Sequence, residues 1–227
     1  MITIENLIVS YTKGENVIDS LNLSLEGNKI HGLVGLNGAG KTTLLYSIYG
    51  LKTINAGTIS HNNKKLTKKE ISFLETENFF YSNITGREFL TLFKYENYDI
   101  EKWNQLFILP LDTVIDDYST GMKKKLAFMA IMKQNKPIII LDEPFNGLDI
   151  ETCRIIRQIL LRLKERNKTI IITSHIIETL TNLCDFMHYL ENGKIIYSKD
   201  KNGFKEFENN IFATIENKNR ELINELI

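Results

Sequence analysis

The stretch GLNGAGKT, Gly35 to Thr42, has the residue types and spacing that most directly imply chemistry. It fits G-x-x-x-x-G-K-[ST], follows an apolar run and opens a helical pattern, the context in which such a loop wraps a phosphate chain. Glycines let backbone N–H groups turn inward around phosphate oxygens, and the helix N-terminus adds the positive end of its dipole. Gly35, Leu36, Asn37, Gly38, Ala39 and Gly40 would form the cradle, with Lys41 reaching the β- and γ-phosphates and the Thr42 hydroxyl ligating Mg²⁺.

Such a loop needs a second metal-side group and a way to manage water. IIILDEP supplies both: Asp142 emerges at the carboxyl end of an apolar run, where open α/β sheets bind their ligands, and Glu143 follows as a candidate general base. A third run, IIITSH, ends in His175. Taken alone, His175 reads more simply as a satisfied histidine at a strand end.

The elements that must position these residues are legible in outline. The first third, ITIENLIVSY, VIDSLNLSL and KIHGLVG, reads as β-structure, and a helix is expected over about Gly40 to Tyr49. From Asn78 to Gln134 the pattern turns helical, with capping-box spacing in TGRE at Thr85 to Glu88. PIIIL is a short, continuous apolar run suited to a strand buried on both faces, and KTIIIT reads as a second buried strand. Between them RIIRQILLRLKER sets Ile155, Ile156, Ile159, Leu160 and Leu163 on one helical stripe. A further helix is expected near His175, and one or two polar helices from Phe204 onward. Strand–helix–strand alternation implies right-handed crossovers and a parallel sheet.

The 227 residues carry 28 Lys plus Arg against 28 Asp plus Glu. That zero net charge lacks the basic excess of a nucleic-acid binder. Cys153 and Cys184, both in helical-looking stretches, have no neighbours at metal-ligand spacing, which fits a reduced cytosolic setting. No apolar run is long enough for a bilayer span, and the N-terminus lacks a signal-peptide h-region. His31, His61 and His188 read as structural or exposed.

One further stretch, YSTGMKKKLAFMA from Tyr118, reads locally as a solvated helix end with its lysines in water. Its place just ahead of IIILDEP gives it another meaning. The order GLNGAGKTT, YSTGMKKK, IIILDEP, NGLD and IIITSH resembles the nucleotide-binding subunits of ABC transporters, over nearly the entire chain. The resemblance implies an α/β P-loop NTPase of the ABC-cassette type. Its mostly parallel core sheet would carry an N-terminal antiparallel β region and an inserted helical subdomain. A single domain would divide into a catalytic core (1–77 and 135–200), a helical subdomain (78–134) and a C-terminal tail (201–227).

The resemblance also implies an ATPase of two cassettes associated head to tail, identical or homologous, coupled to integral membrane subunits at the cytoplasmic face. Each ATP would lie between the phosphate loop of one cassette, Thr43 included, and Ser119 and Gly121 of the other. Glu143 would polarise the water and His175 contact the γ-phosphate. Asp149 would link the two sites, and Tyr11 would stack on adenine. On the residues alone, Asp149 also reads as a helix cap and Tyr11 as a strand-end aromatic packed on the core.

Three features depart from the family pattern. Tyr118, Thr120 and Met122 replace residues of the usual Leu-Ser-Gly-Gly-Gln signature, a variant seen with separately encoded exporter-type membrane subunits. Thr76 stands where a Mg²⁺-coordinating glutamine is usual, and Leu36 where proline is common. The alternatives are a soluble ABC-type ATPase outside transport and a regulatory cassette that binds ATP without hydrolysing it efficiently.

Overall fold

The computed structural model describes residues 1–12, 14–94 and 97–226. Chain order is β1 (Ile2–Thr12), β2 (Glu15–Leu25), β3 (Ile30–Val34), α1 (Lys41–Tyr49), β4 (Ala56–His61), β5 (Lys64–Lys65), β6 (Ile71–Leu74), α2 (Gly86–Thr91), α3 (Ile100–Phe107) and α4 (Thr120–Lys133). There follow β7 (Ile138–Leu141), α5 (Ile150–Glu165), β8 (Thr169–Thr173), α6 (Ile177–Thr181), β9 (Phe186–Glu191), β10 (Lys194–Asp200) and α7 (Phe204–Leu226).

Two sheets result. The first is antiparallel, in the order β2-β1-β4-β5. The second runs β10-β9-β3-β8-β7-β6, parallel throughout except for β10, which pairs antiparallel with β9. The continuous apolar runs explain the centre of this sheet: every residue of β3, β7 and β8 is buried. Their side chains alternate between two cores, as the strand period of two requires. Ile139 and Leu141 join the core under α4, α5 and α6, while Ile138 and Ile140 join Leu44, Leu45 and Ile48 of α1 beneath the antiparallel sheet. Helix α1 thus lies between the sheets.

Local signals set several boundaries. Thr85 and Glu88 form a reciprocal capping box that starts α2. The α5 stripe buries Ile156 and Leu160 and lays Ile155, Ile159 and Leu163 against the same core. One helix, α7, forms the tail, fastened by buried Phe204, Phe207 and Ile211.

Two sequence expectations change. Between Asn78 and Gln134, among the described residues only α2, α3 and α4 are α-helical, and α2 spans just six residues. Cys184 lies in the turn between α6 and β9, not in a helix. The helix expected near His175 is present, beginning at Ile177.

Candidate functional site

Adjacent strands bring the candidates together. β8 lies between β3 and β7, so the segments after their carboxyl ends emerge side by side: Gly35–Gly40 after β3, Asp142–Glu143 after β7 and His175 after β8. The phosphate-type loop needs its glycines for specific reasons. Gly40 sits at φ 104°, and a Cβ there would meet Ile18 Cδ1 at 2.9 Å. A Cβ on Gly35 would meet the Leu190 carbonyl oxygen at 2.5 Å. No side chain caps α1, so its first N–H groups remain available to an anion. Lys41 folds back over the loop and donates to the carbonyl oxygens of Gly35 at 2.7 Å and Leu36 at 3.3 Å. Burial pulls its ammonium below the ordinary lysine range, while the nearby Glu143 and Asp142 carboxylates oppose that shift.

Asp142 is 2 % exposed, a buried carboxylate that must be satisfied. Thr42 Oγ1 donates to its Oδ2 at 2.9 Å, and Thr173 Oγ1 donates to its Oδ1 at 2.6 Å. The same Thr173 oxygen accepts the Glu143 N–H at 2.8 Å. Glu143 itself has φ 51°, a left-handed conformation that costs free energy in a non-glycine residue and is concentrated at working sites. Its Oε2 lies 2.9 Å from His175 Nδ1, and the His175 side chain is half exposed. His175 thus has a partner, the carboxylate that follows Asp142.

Tyr11 is 59 % exposed, so it is not a core aromatic. Its hydroxyl lies 3.3 Å from Thr43 Oγ1, beside the loop. Thr76 donates to the Asp142 carbonyl oxygen at 3.4 Å, which places it next to the acidic pair but against backbone.

The signature stretch is built differently. Ser119 caps α4, its Oγ accepting the Met122 N–H at 3.2 Å. Tyr118 is buried, donates its hydroxyl to the Pro110 carbonyl at 2.7 Å and passes over Gly86, where a Cβ would lie 2.5 Å from that oxygen. A tyrosine at this position therefore anchors the stretch. Among the described residues, no hydrogen bond or ion pair joins Ser119 or Gly121 to Gly35–Thr43, Asp142, Glu143 or His175.

The lysines that follow are not simply solvated. Lys124 Nζ donates to the Asn146 carbonyl oxygen, and Lys125 Nζ lies 3.3 Å from Asp149 Oδ2. Gly121 backs onto Gly147, with an added Cβ 3.5 Å from the Gly147 oxygen. Asp149 caps α5, accepting from Thr152 N–H at 2.7 Å and Thr152 Oγ1 at 2.8 Å, which with Lys125 holds its carboxyl down to about 2.

Sequence reasoning missed Thr173 and Lys125. The threonine ending IIIT was a usable signal, because a hydroxyl there faces the end of the neighbouring strand. Lys125 was hidden within a lysine run.

A phosphate-wrapping loop at the switch between parallel strands, facing a buried carboxylate and a Glu–His pair, defines a P-loop nucleotide-hydrolysing protein. The ABC transporter family model matches residues 18–146, and the chain belongs to that family. An uncharacterized ABC transporter ATP-binding protein of Methanocaldococcus jannaschii is 34 % identical over 206 residues, covering 86 % of this chain and 76 % of the relative. The lantibiotic transport ATP-binding protein SrtF of Streptococcus pyogenes is 29 % identical, covering 92 % and 94 %. The bacitracin transport ATP-binding protein BcrA of Enterococcus faecalis is 34 % identical, covering 86 % and 68 %.

Among solved structures, an ATP-binding subunit of an ABC transporter superposes with TM-score 0.83 at 25 % identity, over 92 % and 93 % of the two chains. A dimeric cassette in a post-hydrolysis state with ADP and phosphate gives 0.79 at 22 % identity, over 88 % and 99 %, a likeness of fold. The chain is an ATP-binding, ATP-hydrolysing subunit of an ABC transporter.

Proposed function

We propose that this subunit drives export through separately encoded integral membrane subunits, sitting at the cytoplasmic face as one of two cassettes, identical or homologous. The relatives named for lantibiotic and bacitracin transport support the direction, as does the Tyr-Ser-x-Gly-Met signature. Among the described residues no helix is long and apolar enough to cross a membrane, in keeping with a role for partner subunits.

In this reading Gly35–Thr43 hold the phosphates, and Lys41 exchanges the loop's carbonyls for β- and γ-phosphate oxygens. Thr42 and Asp142 fit a hard divalent cation, because one hydroxyl and one carboxylate leave its other positions to phosphate and water, as Mg²⁺ prefers. Bound there, Mg²⁺ would neutralise phosphate charge. Glu143 takes the proton of the attacking water, with Thr173 fixing its backbone and His175 its carboxylate. The imidazole's second nitrogen remains for the γ-phosphate. Tyr11 offers its exposed ring to adenine.

Ser119 and Gly121, carried by the helical segment 78–134, contact the ATP of the opposite cassette, and Asp149 links the two sites from the adjoining loop. The observation that carries this reading is the chain of bonds Thr42–Asp142–Thr173–Glu143–His175 across three neighbouring strand ends. Replacing Glu143 by Gln is expected to lower phosphate release about 10²–10⁴-fold and to accumulate an ATP-loaded dimer on size exclusion. Undiminished turnover would remove Glu143 as the base. Co-purification with a polytopic membrane protein would check the transport partner, and a purely soluble complex would favour a non-transport role.

A further inference from the structure

Lys52 holds its ammonium 3.5 Å from the centre of the Tyr11 ring, and none of the phosphate chemistry uses it. Both partners are tied to α1. The Tyr11 hydroxyl lies against Thr43 in the first turn. Lys52 leaves the other end, where Gly50 closes the helix at φ 80° and the N–H groups of Leu51 and Lys52 both donate to the Tyr46 carbonyl. The nine residues of α1 span roughly 13 Å at the usual helical rise. One rigid element, sealed between the two sheets, therefore places Lys41 at the phosphate end and Lys52 beside the aromatic ring.

The ring is 59 % exposed despite the cation, so apolar ring surface remains open. A cation on one face of tyrosine and a base on the other do not compete. The ammonium is attracted by the ring quadrupole, while base stacking needs only a flat surface held in place. We infer that Lys52 is a positioning residue for the nucleotide base: it holds the Tyr11 ring so that a purine stacks on the free face, forming a lysine–tyrosine–purine sandwich. This rests on the reading of Tyr11 as the base platform.

Ligands with and without a base separate this role from a general attraction for phosphate. ATP and inorganic tripolyphosphate, each with Mg²⁺, are titrated calorimetrically into the full chain below its dimerising concentration. Lys52→Met, which keeps the stem and removes the charge, is expected to weaken ATP about 3–5-fold and leave tripolyphosphate unchanged. Lys52→Arg is expected to restore ATP affinity, because a guanidinium also stacks on tyrosine. Unchanged ATP affinity in Lys52→Met, or equal weakening of both ligands, overturns the inference. Tyr11→Ala tells the two failures apart. ATP affinity unaltered by Tyr11→Ala sinks the base platform itself. Weakening in Tyr11→Ala with none in Lys52→Met sinks only the role of Lys52. Matching melting temperatures of the variants exclude misfolding as the cause.

Discussion

Asp142 lies 2 % exposed beneath two threonine hydroxyls, whereas Ser119 sits on an open helix end where its oxygen is bonded to that helix's own Met122 N–H. Around Asp142, each polar group that the chemistry needs is oriented by another: Thr42 and Thr173 hold the carboxylate, Thr173 holds the Glu143 amide, and His175 holds the Glu143 side chain. Around Ser119, the bonds place the segment, through Tyr118 on Pro110 and Lys125 on Asp149, and the serine hydroxyl caps its own exposed helix end. One region is buried and bonded from several elements, and in the other Ser119 is exposed and bonded only within its own helix. Pre-oriented dipoles need no reorganisation at the moment of reaction.

That contrast can be broken by mutation. Ser119→Arg should leave ATP affinity of the isolated chain within about twofold of wild type. It should cut turnover on the order of 100-fold by placing an unmatched charge in the cassette interface. Calorimetry with parallel phosphate release checks both halves, and loss of ATP binding to the monomer would erase the contrast. Thr173→Val should lower turnover about 10–100-fold, with Thr173→Ser recovering most of it, because the hydroxyl orients groups and does not itself react. Unaltered kcat in the valine variant would show that the wiring is dispensable.

Smaller effects belong to stability. Asp149→Asn should lower the melting temperature by about 2–4 °C at neutral pH, through a weakened cap and a lost Lys125 pairing. The Asp149 carboxyl titrates near 2 when folded, against an ordinary value of 3.8. Its contribution is therefore full above about pH 4 and fades as pH falls toward 2, and the gap between wild type and variant should close over that window.

A gentler slope is expected at milder acidity from the buried histidines. His188 donates from Nε2 to His31 Nδ1 at 3.1 Å, the tautomer required by His31 Nε2 donating to the Glu26 carbonyl. Burial drives His188 down to about 3 from 6.5, so the unfolded chain takes up a proton that the folded chain refuses. Stability should fall as pH drops below 6.5, and His188→Gln should flatten melting temperature against pH between 6.5 and 4.

The parallel centre of the fold was legible because PIIIL and KTIIIT each hold three consecutive isoleucines, a run that suits a short strand covered on both faces. Glycine spacing revealed the phosphate loop for the same reason it works: φ 104° at Gly40 admits little else. The edges were not legible. β4, β5 and β10 carry mixed burial and no clean apolar stripe, since they lie at or near sheet margins. Lys125 and Lys124 looked identical to a solvated charge run, because their partners, Asp149 and the Asn146 carbonyl, lie in a loop more than twenty residues away. Thr76 departs from the family glutamine, and its bond to the Asp142 carbonyl does not explain the replacement.

The strand order also has a consequence for how the chain is made. β8 fills the gap between β3 and β7, although it is synthesised after both. A ribosome that has finished β7 has produced the phosphate loop and the acidic pair, yet it has no strand to hold them side by side. β8 pairs with both β3 and β7, so joining them needs contacts of high sequence separation, a topology that folds slowly. A ligand that binds only the assembled site stabilises the folded chain by mass action, so ATP is expected to slow its unfolding more than it speeds its folding.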